Sequence, residues 1–361
     1  MRLRSFAVSL TLVFLMFSGT AFSQTFTGLF DGYYGYNFNK PANQLNQFNN
    51  GVQSRAFDVN SQMFSLNYVE LAVEKKGPVG FRVDFGFGDT ARVTNSAEPS
   101  TTDFQHIQQA FVSVAKDNLT LDFGKFVTPL GAEVIETKDN WNYSRSLLFT
   151  YAIPLYHMGL RTTYAASDKA TFAAYLVNGW NNVQDNNTDK SIGLMLLLKP
   201  SDKMTFAGNY LMGKESPLDG DNRRHMFDST LTYVMSPKLS AMANYDYGFD
   251  MLFGTRRMWQ GIAGYGKWSP NGADTGFKIL PRYEYFYDKN GAMTSTAQKI
   301  QEGTFTIQYV SKEAGTFWAE YRRDWSDQQV FTLTKDSGDV LRLNQGIMEF
   351  GYTYSFSKEI K

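Results

Sequence analysis

The chain has no cysteine, and its 361 residues carry only three histidines and ten prolines. Without cysteine there are no disulfides, no thiolate nucleophile, no cysteine metal site and no lipid anchor through a cysteine. His106, His157 and His225 are too far apart in sequence to show ligand spacing, so no metal or other cofactor is expected. Charge of one sign is also lacking: 35 basic residues balance 35 acidic ones. The chain therefore has no general electrostatic reason to bind nucleic acid, and none is expected as a partner. Past residue 23, no apolar run approaches the roughly 18 residues of a spanning helix, and Ile192–Leu198 is the longest candidate. A helical membrane protein is excluded. A membrane β-barrel is not, because its strands need only about 9–11 residues and hide their apolar face by alternation.

What is abundant is aromatic residues, at 16%, and glycine, at 30 residues. Both point towards β structure, where length alone would suggest two globular domains. Residues 1–23 form a separate segment. Arg2 and Arg4 supply a basic start, Phe6–Phe17 an apolar stretch, and Ala21-Phe22-Ser23 a small-residue exit before Gln24. This is the pattern of a cleaved signal peptide. Its removal leaves 33 basic against 35 acidic residues, a net charge near −2, in a single domain of residues 24–361.

Period-2 alternation then runs along the chain. Phe81, Val83, Phe85 and Phe87 alternate with Arg82, Asp84, Gly86 and Gly88. Phe305, Ile307 and Tyr309 alternate with Thr304, Thr306 and Gln308. Met348, Phe350, Tyr352, Tyr354 and Phe356 alternate with polar or small residues. One apolar and one polar face per strand is the rule. Ile107–Ala115, apolar on both faces, and Phe277–Tyr287, interrupted by Pro281, fit it less well.

The connections alternate too. Short turns fall at 75–80, 116–118, 167–169, 199–203, 235–238, 269–273 and 311–315. Longer polar connections fall at 38–63, 89–104, 127–155, 179–189, 214–223, 249–256, 288–300 and 325–341. Seven short and eight long connections join sixteen strands, with 14 or 18 within reach of the ambiguous ones. An even antiparallel up-and-down barrel, all-β and transmembrane, with short periplasmic turns and long outer loops, matches this count. Closure is required because lipid offers no partner to an open sheet edge. That places the chain in the outer membrane of a Gram-negative bacterium, in contact with outer-membrane lipid. Glu349–Phe356 resembles the terminal signal recognised by the barrel assembly machinery, although Ser357–Lys361 follow the last aromatic. Gly32-Tyr33-Tyr34-Gly35-Tyr36 reads as a first strand with aromatics facing lipid.

The longest and most varied connection, 127–155, is the third outer loop. Around it, LTLDFGKFVTPLGAE (Leu119–Glu133), Asn142, Arg145-Ser146 and Tyr156-His157-Met158-Gly159-Leu160 resemble the OmpL-like β-barrel porin-2 family, and more distantly the phosphate-selective porins. The resemblance implies an outer-membrane channel without fixing its solute. A porin passing small hydrophilic solutes or ions by passive diffusion is the expected function. A substrate-specific channel, a non-conducting structural barrel and an outer-membrane hydrolase are the alternatives. Neither a Gly-x-Ser-x-Gly elbow nor a His-Ser-Asn-Gly segment like that of outer-membrane phospholipase occurs, so no enzyme is expected. Porins of this size often assemble as homotrimers.

Third loop and wall together supply the candidate pore-lining charges. The loop folded into the lumen contributes Glu133, Glu136, Lys138, Asp139 and Arg145, with Lys125 at its root. Inward positions of the strands contribute Arg82, Arg161, Lys278, Arg282, Glu320 and Arg322. Opposed acids and bases of this kind set a transverse field that selects ions. On this reading neutralising Arg282 and Arg322 shifts the channel towards cations.

Overall fold

Alternation of apolar and polar residues produces sixteen long strands whose two faces meet different surroundings. The computed structural model describes residues 24–215, 223–252 and 254–360; the expected signal peptide, 1–23, lies outside the described residues. Strands β1 (Gln24–Asn37), β2 (Met63–Lys75), β3 (Val79–Phe87), β4 (Ile107–Lys116) and β5 (Leu119–Val127) open the chain. They are followed by β6 (Tyr156–Ser167), β7 (Ala170–Val177), β8 (Ser191–Ser201), β9 (Met204–Gly213) and β10 (Arg224–Ser236). Then come β11 (Leu239–Leu252), β12 (Thr255–Trp268), β13 (Gly276–Asp288), β14 (Gln298–Ser311) and β15 (Gly315–Ser326). A small hairpin, β16 (Phe331–Lys335) and β17 (Gly338–Arg342), precedes the last strand, β18 (Asn344–Ile360).

β1–β15 and β18 form one closed antiparallel barrel of sixteen strands, each paired with its neighbours in sequence, while β16–β17 stand apart. Closure is made by β1 against β18, in register from Gln24↔Ile360 to Asn37↔Ile347. The residues after the last aromatic are therefore paired strand, with Ser357 opposite Thr27 and Ile360 opposite Gln24. Along β14, Gln298, Glu302, Thr304, Thr306 and Gln308 are buried, whereas Phe305, Ile307 and Tyr309 are exposed. A barrel that hides polar residues and displays Phe, Ile and Tyr is built for an apolar surround. Among the described residues no helix is long and apolar enough to cross a membrane.

All seven short turns fall between the strands that the sequence pattern assigns to them. Four expectations change. The 249–256 connection is not a long loop: β11 and β12 continue through it, pairing Asp250↔Arg257 and Leu252↔Thr255. Its polar residues had masked a ladder held by ion pairs, since Asp250 bonds Arg257 at 2.7 Å and Arg224 at 2.9 Å. The 325–341 connection contains the β16–β17 hairpin. Tyr33 does not face lipid; it is buried, with its ring 5.8 Å from that of Tyr143. Finally, strict alternation fails in β2, where the register shifts opposite Asp31/Gly32 and both Asn67 and Tyr68 become buried. The inserted residue of such a bulge re-aims a side chain, and here it brings the Asn67 amide to Asp31 at 2.9 Å.

Pro281 sits inside β13, and the β12–β13 ladder is interrupted beside it: pairing runs to Tyr265↔Arg282 and resumes at Trp268↔Ile279. The missing N–H explains the gap without a change of register. Two glycines matter for close approach. Gly124 and Gly159 lie directly opposite one another, at φ 141° and 156°. A Cβ on Gly159 would come within 2.3 Å of the Leu176 carbonyl oxygen, which is backbone and has little room to yield. Gly159→Ala is expected to lower the temperature at which the folded barrel, which migrates fast on an unheated gel, converts to the slow unfolded form. An unchanged conversion temperature would show that this stretch of wall relaxes freely.

Candidate functional site

The 128–155 connection begins with a fixed bend. Pro129 is followed by Gly131 at φ 93°, where a Cβ would come within 2.6 Å of Ile153 Cδ1. One short 3-10 turn, Thr137–Asp139, and one π-helical turn, Leu148–Ala152, are its regular pieces. Leu130, Ile135, Leu147, Leu148, Phe149, Ala152 and Ile153 are all buried. So long a segment cannot bury its main chain unless each N–H and C=O finds a partner.

Those partners are charged side chains on the buried faces of the late strands. Glu320 on β15 accepts the N–H groups of Tyr143, at 2.8 Å, and Ser144, at 3.0 Å, and the Thr306 hydroxyl at 2.6 Å. Glu284 on β13 accepts the N–H groups of Leu147 and Leu148, at 3.0 and 3.2 Å, just where the π-helical turn begins. Arg282 donates to the Ser144 carbonyl at 2.7 Å and to Glu133 at 2.9 Å. Arg322 donates to the Arg145 carbonyl at 2.6 Å. The Asn142 amide donates to the Leu280 carbonyl, at 2.8 Å, and to Thr306, at 2.7 Å. On β1, Asp31 accepts from the Tyr143 hydroxyl at 2.7 Å and the Thr137 hydroxyl at 2.6 Å. Carboxylates take the N–H groups and guanidiniums take the carbonyls.

The first long connection, 38–62, packs against the third. Phe57 lies tilted against Phe149, with centroids 5.6 Å apart, and the Arg145 guanidinium lies 5.0 Å from the Phe57 ring. Tyr151 donates to the Gln53 carbonyl at 2.5 Å, and Phe48 stacks on Tyr151 at 6.3 Å. Arg55, only 1% exposed, pairs with Asp58 and reaches Glu349 on β18 at 3.2 Å. Sequence reasoning missed this cluster. An Arg-x-x-Asp pair inside an otherwise amide- and aromatic-rich loop was the available signal.

The expected pore-lining residues divide into three groups. Arg282, Arg322 and Glu320, at 1–2% exposure, are fully committed to the contacts above, with Arg282 also 2.7 Å from Glu302 and Arg322 2.6 Å from Asp324. They were expected to face water across the lumen from the loop acids. Instead only Glu133 meets them, and the contact is dry. Arg145 likewise turns back on its own loop, donating to the carbonyls of Val134, at 2.9 Å, and Tyr143, at 2.6 Å. Lys125 is buried, bonded to Asn95 and to the Ile107 carbonyl at 2.7 Å, with Tyr156 beneath its ammonium at 3.9 Å.

A second group keeps contact with solvent: Arg82 pairs with Asp84 at 2.8 Å, Arg161 with Asp122 at 2.7 Å, and Lys138 with its neighbour Asp139 at 2.6 Å. Glu136 and Lys278, both half-buried, make up the third. Glu136 does not meet the late strands; burial pushes its carboxyl above the ordinary range, Asp139 and Asp84 push the same way, and Arg82 opposes them. As an acid with a raised folded-state pKa, it favours the docked loop while protonated, and that advantage is lost as pH rises through the raised value.

These are the features of an outer-membrane channel fold: a closed sixteen-strand barrel, an apolar outside, and a charged inside against which long loops dock. The chain belongs to the family described as "Putative beta-barrel porin-2, OmpL-like", whose model matches residues 23–356. Among solved structures, it is similar in fold to the anion-selective porin from Comamonas acidovorans, at TM-score 0.63 and 10% identity over 92% of this chain and 100% of that one. It is also similar to a loop-deletion mutant of OmpT, an outer membrane protein of Vibrio cholerae (TM-score 0.60, 12% identity, 93% and 100% covered). The outer membrane channel DcaP of Acinetobacter baumannii aligns at TM-score 0.58 and 11% identity over 94% and 99% of the two chains. No curated protein sequence matches. The chain is a porin-family β-barrel of the Gram-negative outer membrane.

The hydrogen bonds predict which substitution frees the loop. Glu320→Ala removes the acceptor of two buried N–H groups and is expected to cost on the order of 3 kcal/mol. Trypsin should then cut the folded protein at Arg145, which the wild-type barrel keeps buried. Resistance at Arg145 in a folded Glu320→Ala barrel would mean that the other contacts hold the loop unaided.

Proposed function

We propose that the protein is a porin through which small hydrophilic solutes or ions diffuse passively, with the 128–155 loop lying across the lumen and narrowing it. The observation that carries this reading is the stitching of Tyr143–Leu148 to Glu320, Glu284, Arg282 and Arg322, all on buried strand faces. A loop held over the mouth would have no reason to use them. The 38–62 loop packs against the 128–155 loop, with the Phe57 and Phe149 rings 5.6 Å apart. No step of bond making or breaking is required of any residue, and the reading is a channel rather than an enzyme. Residues 1–23 are the signal peptide that delivers the chain to the periplasm, and Glu349–Phe356 within the closing strand is the segment offered to the assembly machinery. A similar fold, OmpT of Vibrio cholerae, is described in a trimer form, which supports a homotrimer here.

Reconstitution into planar bilayers should give discrete conductance steps. Shortening the loop by removing residues 132–146 should raise the unitary conductance severalfold. A folded, heat-modifiable protein that gives no steps would make it a sealed barrel. Unchanged conductance in the shortened variant would place the loop away from the narrowest point.

A further inference from the structure

Although the chain has almost no net charge, its charges are not equally reachable from water. Five acids of the wall are spent: Glu320 and Glu284 on loop N–H groups, Glu302 on Arg282, Asp324 on Arg322, and Asp31 on Tyr143 and Thr137. Towards the short-turn end of the barrel, two ion pairs remain partly open, and in both the base holds the surface. Arg82 keeps 32% of its side chain exposed against 0% for Asp84, and Arg161 keeps 22% against 5% for Asp122.

Two further cations lie on the same inner level. On β12 the buried residues are Trp259, Gly261, Ala263 and Tyr265, so Lys267 continues the inward face. On β13 they are Leu280, Arg282, Glu284, Phe286 and Asp288, so Lys278 does likewise. Each is half-buried, and among the described residues neither makes a salt bridge. The Lys267 ammonium lies 4.8 Å from the Trp141 ring, placing it directly beneath the docked loop. Lys278 feels Lys267 as a like charge, and Asp274 in the 269–275 turn is the acid that faces it. Among the reachable acids, Glu74 lies beside Lys76 at 3.5 Å, Asp139 beside Lys138, Glu136 in the field of Arg82, and the exposed Asp274 faces Lys278.

We propose that the passage between the docked loop and the short turns is electropositive and selects small anions, with Lys267 and Lys278 as its specificity-determining residues. This rests on the channel reading above and names its solute class. Unpaired charge in a confined, low-dielectric passage raises the local concentration of counter-ions far more than paired charge does. Among the described residues Lys267 and Lys278 are inward, half-buried cations outside any salt bridge, unlike the fully buried Lys125 and Arg145, so they contribute most to the field that a permeating ion meets.

The test is the reversal potential of the full-length protein in planar bilayers under a tenfold KCl gradient. Wild type should favour chloride over potassium severalfold. The double variant Lys267→Gln, Lys278→Gln should bring the ratio close to one. Lys312→Gln, which removes an exposed charge in the short β14–β15 turn, should leave it unchanged. A conducting wild type that prefers potassium, a double variant with unaltered preference, or a Lys312→Gln effect as large as the double variant's would each overturn the assignment. Absence of any steps from folded protein would overturn the channel reading and this inference with it, so the two failures are distinguishable.

Discussion

A segment of nearly thirty residues buried against a β-barrel wall has to satisfy a main chain that no neighbouring strand can pair. Lipid-facing backbone solves that problem by closing the sheet. Loop backbone needs side chains, and the ones used here are carboxyls and guanidiniums. Glu320 and Glu284 receive four consecutive-pair N–H groups, while Arg282 and Arg322 cover two carbonyls between them. Hydrogen bonds with one charged partner are shorter and stronger than neutral ones, so a few wall residues suffice to fix the loop's path. The rest of the interior arrangement follows from that choice.

Burying such groups as ions carries its own cost, which is offset only if each has a counter-charge and its remaining lone pairs or protons are filled. This explains why the wall arginines occur within a web of acids. Arg282 touches Glu133, Glu284 and Glu302; Arg322 touches Glu302 and Asp324; Arg55 reaches Asp58, Asp324 and Glu349. Glu302 and Asp324 are shared, so the clusters of the first and third loops form one network along β13–β15 and β18. The first loop is therefore coupled to the third through both charge and the aromatic contacts of Phe57, Phe48 and Tyr151.

Strand number, turn positions and the identity of the long third loop were legible from alternation alone, because lipid on one side and polar groups on the other leave little freedom. Exceptions arise where a third dimension intervenes. Tyr33 reads as lipid-facing beside Tyr34 and Tyr36, yet its ring is needed under Tyr143. Asn67 breaks the pattern because Asp31 needs its amide. The 249–256 stretch reads as loop because its strand register is held by Asp250 with two arginines, not by apolar residues. Among the site residues, type and inward placement of Arg282, Glu320 and Arg322 were readable, but their role was not. Whether an inward charge faces water or a docked loop depends on where that loop comes to rest, and local sequence carries no mark of it.

That distinction changes how charge composition bears on conduction. A barrel interior with equal acids and bases looks electrically neutral in sequence, but burial filters what an ion can meet. Anchoring the loop consumes carboxylates preferentially, since its exposed backbone donors, particularly at the start of the π-helical turn, call for acceptors. Arginines spent on carbonyls are matched by further acids in the same network. What stays at the water's edge is then biased towards the cations whose partners lie deeper, Arg82 above Asp84 and Arg161 above Asp122, and towards Lys267 and Lys278, which make no salt bridge among the described residues. The fold thus separates charge by depth, and the constraint that docks the loop also sets the sign of the surface left beside it.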